Sequence, residues 1–83
     1  MRDRTIVDKL IEAINRKFEA NTHKGTWTDM SDTDVLSRLC EELNELTQAV
    51  DTFDLNNAID EAADVALFSA FYADPKRILH GQH

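Results

Sequence analysis

Four acidic residues stand in two pairs, Glu42 with Glu45 and Glu61 with Asp64, and the members of each pair are three residues apart. Side chains with this spacing share one face of an α-helix. If the two segments form an antiparallel hairpin, both pairs come to a similar height and four carboxylates face one another. Carboxylates that converge at low dielectric repel, and a hard divalent cation relieves the repulsion. Oxygen ligands favour Mg²⁺ or Mn²⁺ over zinc, and such magnesium sites typically bridge to a phosphate.

An acidic pair can also mark nothing more than a solvated helix face, because Asp and Glu make up 16 of the 83 residues. The second pair differs from that pattern, since Glu61 and Asp64 share their face with Val65 and Phe68. A solvated face would not carry two large apolar side chains. Acids in apolar surroundings are costly unless a positive charge neutralises them, which favours the metal-ligand interpretation.

Apolar residues at helical intervals predict the three elements that position these acids. They predict helices over about 3–20, 32–52 and 55–73, with a loop over 21–31 and a short tail over 74–83. The seam predicted for the second helix has 3-4-3-4-3 spacing and consists of Leu36, Leu39, Leu43, Leu46, Val50 and Phe53. Helices two and three are therefore expected to pack lengthwise as an antiparallel hairpin.

The fold predicted for residues 1–83 is a single all-α domain with three helices. Two glycines and one proline are too few for a sheet of short strands. The third helix is apolar on two sides, and a chain of this size builds only a small core. We therefore expect its second side to pack against another subunit, giving a homo-oligomer, dimer or tetramer, with a four-helix-bundle core.

Net charge and apolar runs exclude several classes of partner. The formal charge of -7 disfavours binding to polymeric nucleic acid. The apolar run at 70–73 has four residues, far short of the ~20 that span a bilayer. The first residues do not resemble a signal peptide. These features predict a soluble, cytoplasmic protein with no membrane partner.

The acidic motif resembles a known signature. Residues 41–46 read EELNEL and residues 60–65 read DEAADV, similar to the EExxE...ExxD motif of the MazG-like all-α nucleoside triphosphate pyrophosphohydrolases. The resemblance covers about residues 33–73. It implies Mg²⁺-dependent hydrolysis of an NTP or dNTP to the monophosphate and pyrophosphate, as in nucleotide-pool cleansing. It also implies four metal ligands, Glu42, Glu45, Glu61 and Asp64.

Two glutamates are candidates for a catalytic role beside the metal. Metal ions can lower the pKa of a bound water for attack at phosphorus, so no nucleophilic side chain is required. Glu45, the acid farther from the predicted seam, could accept the proton of that water, while Glu42 is expected to act with it as ligand. Glu41 matches the first acid of the motif, but its helical angle lies outside the seam, which predicts a supporting or solvated position.

Five further residues are candidates for substrate binding. Trp27 could stack on a nucleobase or cover the end of the core. Lys24 could reach a phosphate or be a solvated loop residue. Arg38 could pair with Glu42 and Glu45 in the absence of metal, or contact a phosphate. Lys76 and Arg77 could close over the triphosphate, or simply suit the C-terminus of a helix.

Two alternatives remain beside the leading hypothesis. One is an enzyme like phosphoribosyl-ATP pyrophosphatase, which the lack of a longer basic C-terminal region makes less favoured. The other is a non-catalytic helical dimerisation or adaptor module whose acids serve solubility. Both enzyme hypotheses predict nucleotide hydrolysis and metal binding, whereas the adaptor hypothesis predicts neither.

Overall fold

The computed structural model describes residues 3–21 and 29–81, and this part of the chain is all-α, without a strand. Its helices are α1 (Thr5–Asn21), α2 (Asp32–Asp51), α3 (Leu55–Ala73) and α4 (Pro75–Gly81). The predicted fold class is confirmed, and the three long helices begin and end within two residues of their predicted bounds. None of the helices in the described ranges combines the length and apolar character needed to cross a bilayer.

Short polar side chains begin the two helices that carry the acids. Ser31 Oγ accepts a hydrogen bond from the backbone N–H of Asp34 at 3.1 Å, which caps α2. Asp54 Oδ1 accepts one from the N–H of Asn57 at 3.4 Å at the start of α3. Both caps satisfy backbone donors that have no partner inside the helix.

A fourth helix follows α3 where the sequence predicted a short tail. Asp74 has extended backbone angles and ends α3, as expected for a residue before proline. Its carboxylate then accepts a hydrogen bond from the N–H of Lys76 at 3.0 Å, while Pro75 occupies the first helical position. The same Asp-Pro step therefore ends one helix and begins another, so the tail prediction is wrong over Pro75–Gly81.

The third helix lies between the other two long helices. α3 packs against α2 along one side and against α1 along the other, and Ala63 and Leu67 are among its buried residues. Two neighbouring helices of the same chain therefore pack against α3. Within one chain α1 takes a place beside α3 that the sequence left to another subunit, and the expected oligomer itself stays a prediction.

The buried side of α2 only partly matches the predicted seam, because Leu39 and Leu46 are half-buried but the other predicted seam residues are exposed. The inner face of α2, as defined here, consists of the buried residues Val35, Glu42 and Ala49. The outer stripe consists of Leu36, Leu43 and Val50, which are 40%, 52% and 55% exposed. Since Leu39 and Leu46 stay half-buried, the packed side is rotated by about 50° about the helix axis from the predicted seam. Small residues at Ala49 and Ala63 permit close approach of α2 and α3, which places the acidic side inward.

A tight turn over residues 52–54 joins α2 to α3. Phe53 has φ 58, in the left-handed region, and its side chain is 83% exposed. The N–H of Asp54 donates to the carbonyl of Ala49 at 2.9 Å, closing the C-terminus of α2. Glu45 lies six residues before α2 ends and Glu61 six residues after α3 begins. At 1.5 Å per residue both stand ~9 Å from the turn, hence at matching heights.

Candidate metal centre

Three carboxylates converge between α2 and α3. Glu42 and Glu45 of α2 and Glu61 of α3 each offer an oxygen, and these oxygens lie within 4.8 Å of one another. We call these three residues the carboxylate triad. Glu42 is buried, Glu61 is half-buried and Glu45 is exposed. The hairpin therefore brings together three of the four predicted ligands, with an open edge at Glu45.

The fourth predicted ligand, Asp64, is engaged by a lysine of α1. Lys17 Nζ lies 3.1 Å from Asp64 Oδ2, and the two side chains are 30% and 15% exposed. Asp64 still acts on the triad through its charge, which raises the pKa of both Glu42 and Glu61. It thus adjoins the triad while forming an ion pair on its other side.

The pKa of Glu42 is raised from an ordinary value of 4.5 to about 7. Burial is the main cause, followed by a hydrogen bond with the carboxyl of Glu45 and the negative charges of Asp64 and Glu45. The guanidinium of Arg38 acts in the opposite direction but does not outweigh them. Near neutral pH, Glu42 is therefore partly protonated in the metal-free protein.

Glu61 carries an unsatisfied oxygen. Its Oε2 is buried and has no hydrogen-bond partner. Burial raises the pKa of Glu61, and a hydrogen bond with Glu45 and the charges of Glu45 and Asp64 add to the effect, while Lys17 opposes it. Buried carboxylate oxygens normally have partners. An orphaned oxygen beside two more carboxylates fits a hard cation that takes oxygen ligands.

Arg38 lies at the edge of the triad. Its guanidinium is 2.9 Å from Glu41 Oε2 and 3.3 Å from Glu42 Oε1. It also stacks over the ring of Phe68, 5.3 Å from the ring centroid. The predicted pairing with Glu42 is confirmed. The other partner is Glu41 rather than Glu45, because Glu41 is one helical turn from Arg38 and Glu45 is two turns away.

The remaining candidates lie apart from the triad or outside the described residues. Glu41 is exposed, as its helical angle predicted. Lys76 is exposed on α4, and Arg77 belongs to the same helix. Trp27 and Lys24 fall outside the residues that the structure describes. The predicted substrate-binding roles of the two lysines, Arg77 and Trp27 stay predictions.

Sequence reasoning missed the contribution of α1. Lys17 pairs with Asp64, and the adjacent Arg16 pairs with Asp60 at 2.7 Å. Burial lowers the pKa of Lys17, but its hydrogen bond and charge interaction with Asp64 outweigh burial and raise the pKa overall. A signal was present in the sequence, because Lys17 is four residues after the buried Ala13 and shares its helix face. A lysine on a buried helix face is costly unless its ammonium pairs with an acidic side chain, which predicts a partner such as Asp64.

The fold and the triad together define a class: all-α proteins with a carboxylate cluster inside a helical hairpin, as in the MazG-like pyrophosphohydrolases. The chain belongs to the phosphoribosyl-ATP pyrophosphohydrolase family, whose model matches residues 7–76. That family is part of the MazG-like superfamily, so the resemblance drawn from the acidic motif is confirmed.

A shorter stretch of the chain is similar to a protein of Archaeoglobus fulgidus, which is described as an uncharacterized protein. The two are 47% identical over 45 residues, which is 54% of this chain and 48% of the relative. The matched part thus spans about half the length of that relative. No solved structure matches the chain.

Proposed function

We propose that the protein is a Mg²⁺-dependent nucleoside triphosphate pyrophosphohydrolase. It converts an NTP or dNTP to the monophosphate and pyrophosphate, in a nucleotide-pool cleansing role. The observation that carries the proposal is the carboxylate triad with its orphaned Glu61 oxygen, in a chain of a pyrophosphohydrolase family. An adaptor whose acids served only solubility would not bury Glu42 between helices.

The residues present fit a divalent cation. Glu42, Glu45 and Glu61 would hold it, with Asp64 as the fourth ligand once its pairing with Lys17 is exchanged. Mg²⁺ is proposed, with Mn²⁺ as a substitute, because the donor set is oxygen alone. When bound, the ion would neutralise the triphosphate oxygens and favour deprotonation of the attacking water.

The side chains of the triad have separable roles in proton handling. Glu45 is the exposed member and stands at the open edge, where it can accept a proton from a water that attacks phosphorus. Glu42 is buried beside Glu45 and is proposed to act with it as a deprotonated ligand of the metal. Burial of Glu42 and Glu61 keeps bulk water from the inner part of the site.

Basic and aromatic residues are proposed to bind the substrate. Arg38 forms ion pairs with Glu41 and Glu42. When the metal neutralises the Glu42 carboxylate, the guanidinium can leave these two glutamates and bind a phosphate of the substrate. Lys24, Lys76 and Arg77 are proposed as further phosphate contacts, and Trp27 as a stacking surface for the base.

Phosphoribosyl-ATP is the alternative substrate. The description of the matching family is compatible with it, and it has the same triphosphate chemistry at the bond to be cleaved. The carboxylate triad serves either substrate equally, since both present phosphate oxygens to the metal. Discrimination between the two substrates therefore depends on the residues that contact the base and sugar.

We also propose that the protein is a homo-oligomer, a dimer or tetramer, whose interface covers the outer stripe. Leu36, Leu43 and Val50 repeat every seven residues and are 40–55% exposed. A heptad line of this kind is the seam along which a helix packs on another helix. Phe53, 83% exposed at the end of the same helix, extends the apolar surface.

The test is pyrophosphate release from a panel of NTPs, dNTPs and phosphoribosyl-ATP in the presence of Mg²⁺. The wild type is expected to release pyrophosphate from at least one of them, and Glu61→Gln to lose that activity. Glu41→Gln is the matched control, because it removes an adjacent but exposed glutamate charge. No release by the wild type, or equal release by Glu61→Gln, would contradict the proposal.

A further inference from the structure

Lys17 is the cation that α1 brings to the acidic site. Its Nζ is 3.1 Å from Asp64 Oδ2, and its side chain is 30% exposed. The negative charges of Asp60 and Glu61 act on it as well. The next residue back, Arg16, forms an ion pair with Asp60 in which the side chains are 60% and 38% exposed. The two pairs join the same helices but differ in burial and in their relation to the triad.

The partly buried ion pair, Lys17 with Asp64, contains the carboxylate that is proposed as the fourth metal ligand. Asp64 lies one helical turn from Glu61 and acts electrostatically on Glu42. A divalent ion that took Asp64 as a ligand would find the Lys17 ammonium on the same carboxylate. Two cations on one carboxylate repel strongly where solvent screening is weak. The lysine must therefore move away, or Asp64 must stay out of the metal shell.

We infer that Lys17 is a positioning residue that holds Asp64 in the metal-free protein, and that its displacement from Asp64 limits the affinity of the site for divalent cations. The inference deepens the proposed function and rests on it. The lysine acts through Asp64 rather than on the reacting atoms. It keeps the fourth carboxylate oriented and charge-balanced until an oxygen-seeking divalent ion replaces the ammonium.

The experiment measures binding of Mn²⁺ alone to the full chain, without nucleotide, by isothermal titration calorimetry. Lys17→Met removes the ammonium and keeps the length of the side chain. We expect it to tighten Mn²⁺ binding about 10-fold or more, since a competing charge has been removed from a weakly screened position. Arg16→Met removes the same formal charge from the exposed pair, and we expect a change of less than about 2-fold.

Two further variants separate positioning from general structural effects. Lys17→Arg retains the charge and is expected to bind Mn²⁺ as the wild type does. In an Asp64→Asn background, Lys17→Met is expected to lose most of its effect, because the interaction that it removes is already absent. Circular dichroism of each variant reports whether the helices are retained.

The outcomes distinguish this inference from the proposed function. If the wild type does not bind Mn²⁺, the proposed metal site fails, and the inference fails with it. If the wild type binds and Lys17→Met matches Arg16→Met, only the inference is overturned. Weaker binding by Lys17→Met, or an unchanged effect in the Asp64→Asn background, overturns it as well.

Discussion

The two sides of α2 reverse the usual distribution of residues. Its inner face places Glu42 at 6% exposure between Val35 and Ala49. Its outer stripe leaves Leu43 and Val50 more than half exposed. Neither side suits an isolated chain in plain water, because a buried carboxylate lacks its solvent and exposed leucine or valine gains nothing from folding.

The difference indicates what each side requires. The inner face requires charge compensation, which Arg38 supplies only in part and which the proposed divalent cation would complete. The outer stripe requires an apolar cover, which a second copy of the chain would supply. One helix thus carries two unmet requirements of opposite chemistry, and the following experiments test them separately.

The largest expected effect is on the carboxylate triad, which Glu42 of the inner face shares with Glu45 and Glu61. Glu45→Gln keeps the size of the side chain but removes its charge from the triad. We expect pyrophosphate release to fall about 1000-fold, since metal chemistry contributes several kcal/mol to such reactions. The assay uses saturating Mg²⁺ with the best nucleotide of the panel. The control is Asn44→Gln, which changes the exposed residue next to Glu45 and should keep wild-type activity. A comparable loss of activity in Asn44→Gln would mean that the effect is not specific to the triad.

The next largest effect is on self-association through the outer stripe. Leu43→Glu places a charge in the middle of the stripe, and we expect it to weaken association about 100-fold, the effect of removing a central apolar contact. Light scattering would then give the 9.5 kDa mass of one chain. Asn44→Glu adds the same charge beside the stripe and should leave the mass of the assembly unchanged. A monomeric wild type contradicts the proposed interface.

A matched pair of valines compares burial on the two sides. Val35 is fully buried and Val50 is 55% exposed. In the Leu43→Glu background, Val35→Ala should lower the free energy of unfolding by about 2 kcal/mol, because it leaves a cavity. Val50→Ala should cost less than about 0.5 kcal/mol there. Urea denaturation measures both, and equal costs would mean that the outer stripe is buried within one chain.

The smallest expected effect is the pH dependence of stability in the metal-free protein. The pKa of Glu42 is about 7 in the folded state against an ordinary 4.5, so the folded state binds more protons between these values. Its contribution to stability is therefore present below pH 4.5 and is lost as pH rises through about 7. Glu61 has a raised pKa as well and acts in the same direction.

In EDTA, the wild type should thus lose stability between about pH 5 and pH 8, as the folded state releases the proton of Glu42. Glu42→Gln should flatten this dependence, since its amide does not titrate. Glu41→Gln, at the exposed position, should keep the slope of the wild type. Thermal denaturation across the pH range gives the comparison, and a slope unchanged by Glu42→Gln would contradict the assignment.

The sequence predicted the helices well because their signals are local. Ser31 and Asp54 are capping residues, Pro75 is incompatible with a continuing helix, and the apolar periods lie within single segments. The meeting of acids across the hairpin also followed from counting residues between Glu45 and Glu61. Each of these inferences needs only the geometry of one helix or one turn.

What the sequence did not predict depends on which helices face each other. The apolar period of α2 could not show that Leu43 turns outward, because the choice is made by alanines on α2 and α3 that permit close packing. The role of Lys17 likewise needs the placement of α1 beside α3. The cover of α3 was assigned to another subunit because α1 was not considered as its neighbour.

The turn over residues 52–54 also limits how the chain can change in length. Only three residues join the helices, and the turn is closed by backbone hydrogen bonds from Thr52 and Asp54. Each residue added to α2 alone would raise Glu45 by ~1.5 Å from the turn and rotate it by ~100°, away from Glu61. Metal sites tolerate distance errors of only ~0.2 Å. The hairpin can therefore lengthen during evolution only through matched additions of whole helical turns to both helices.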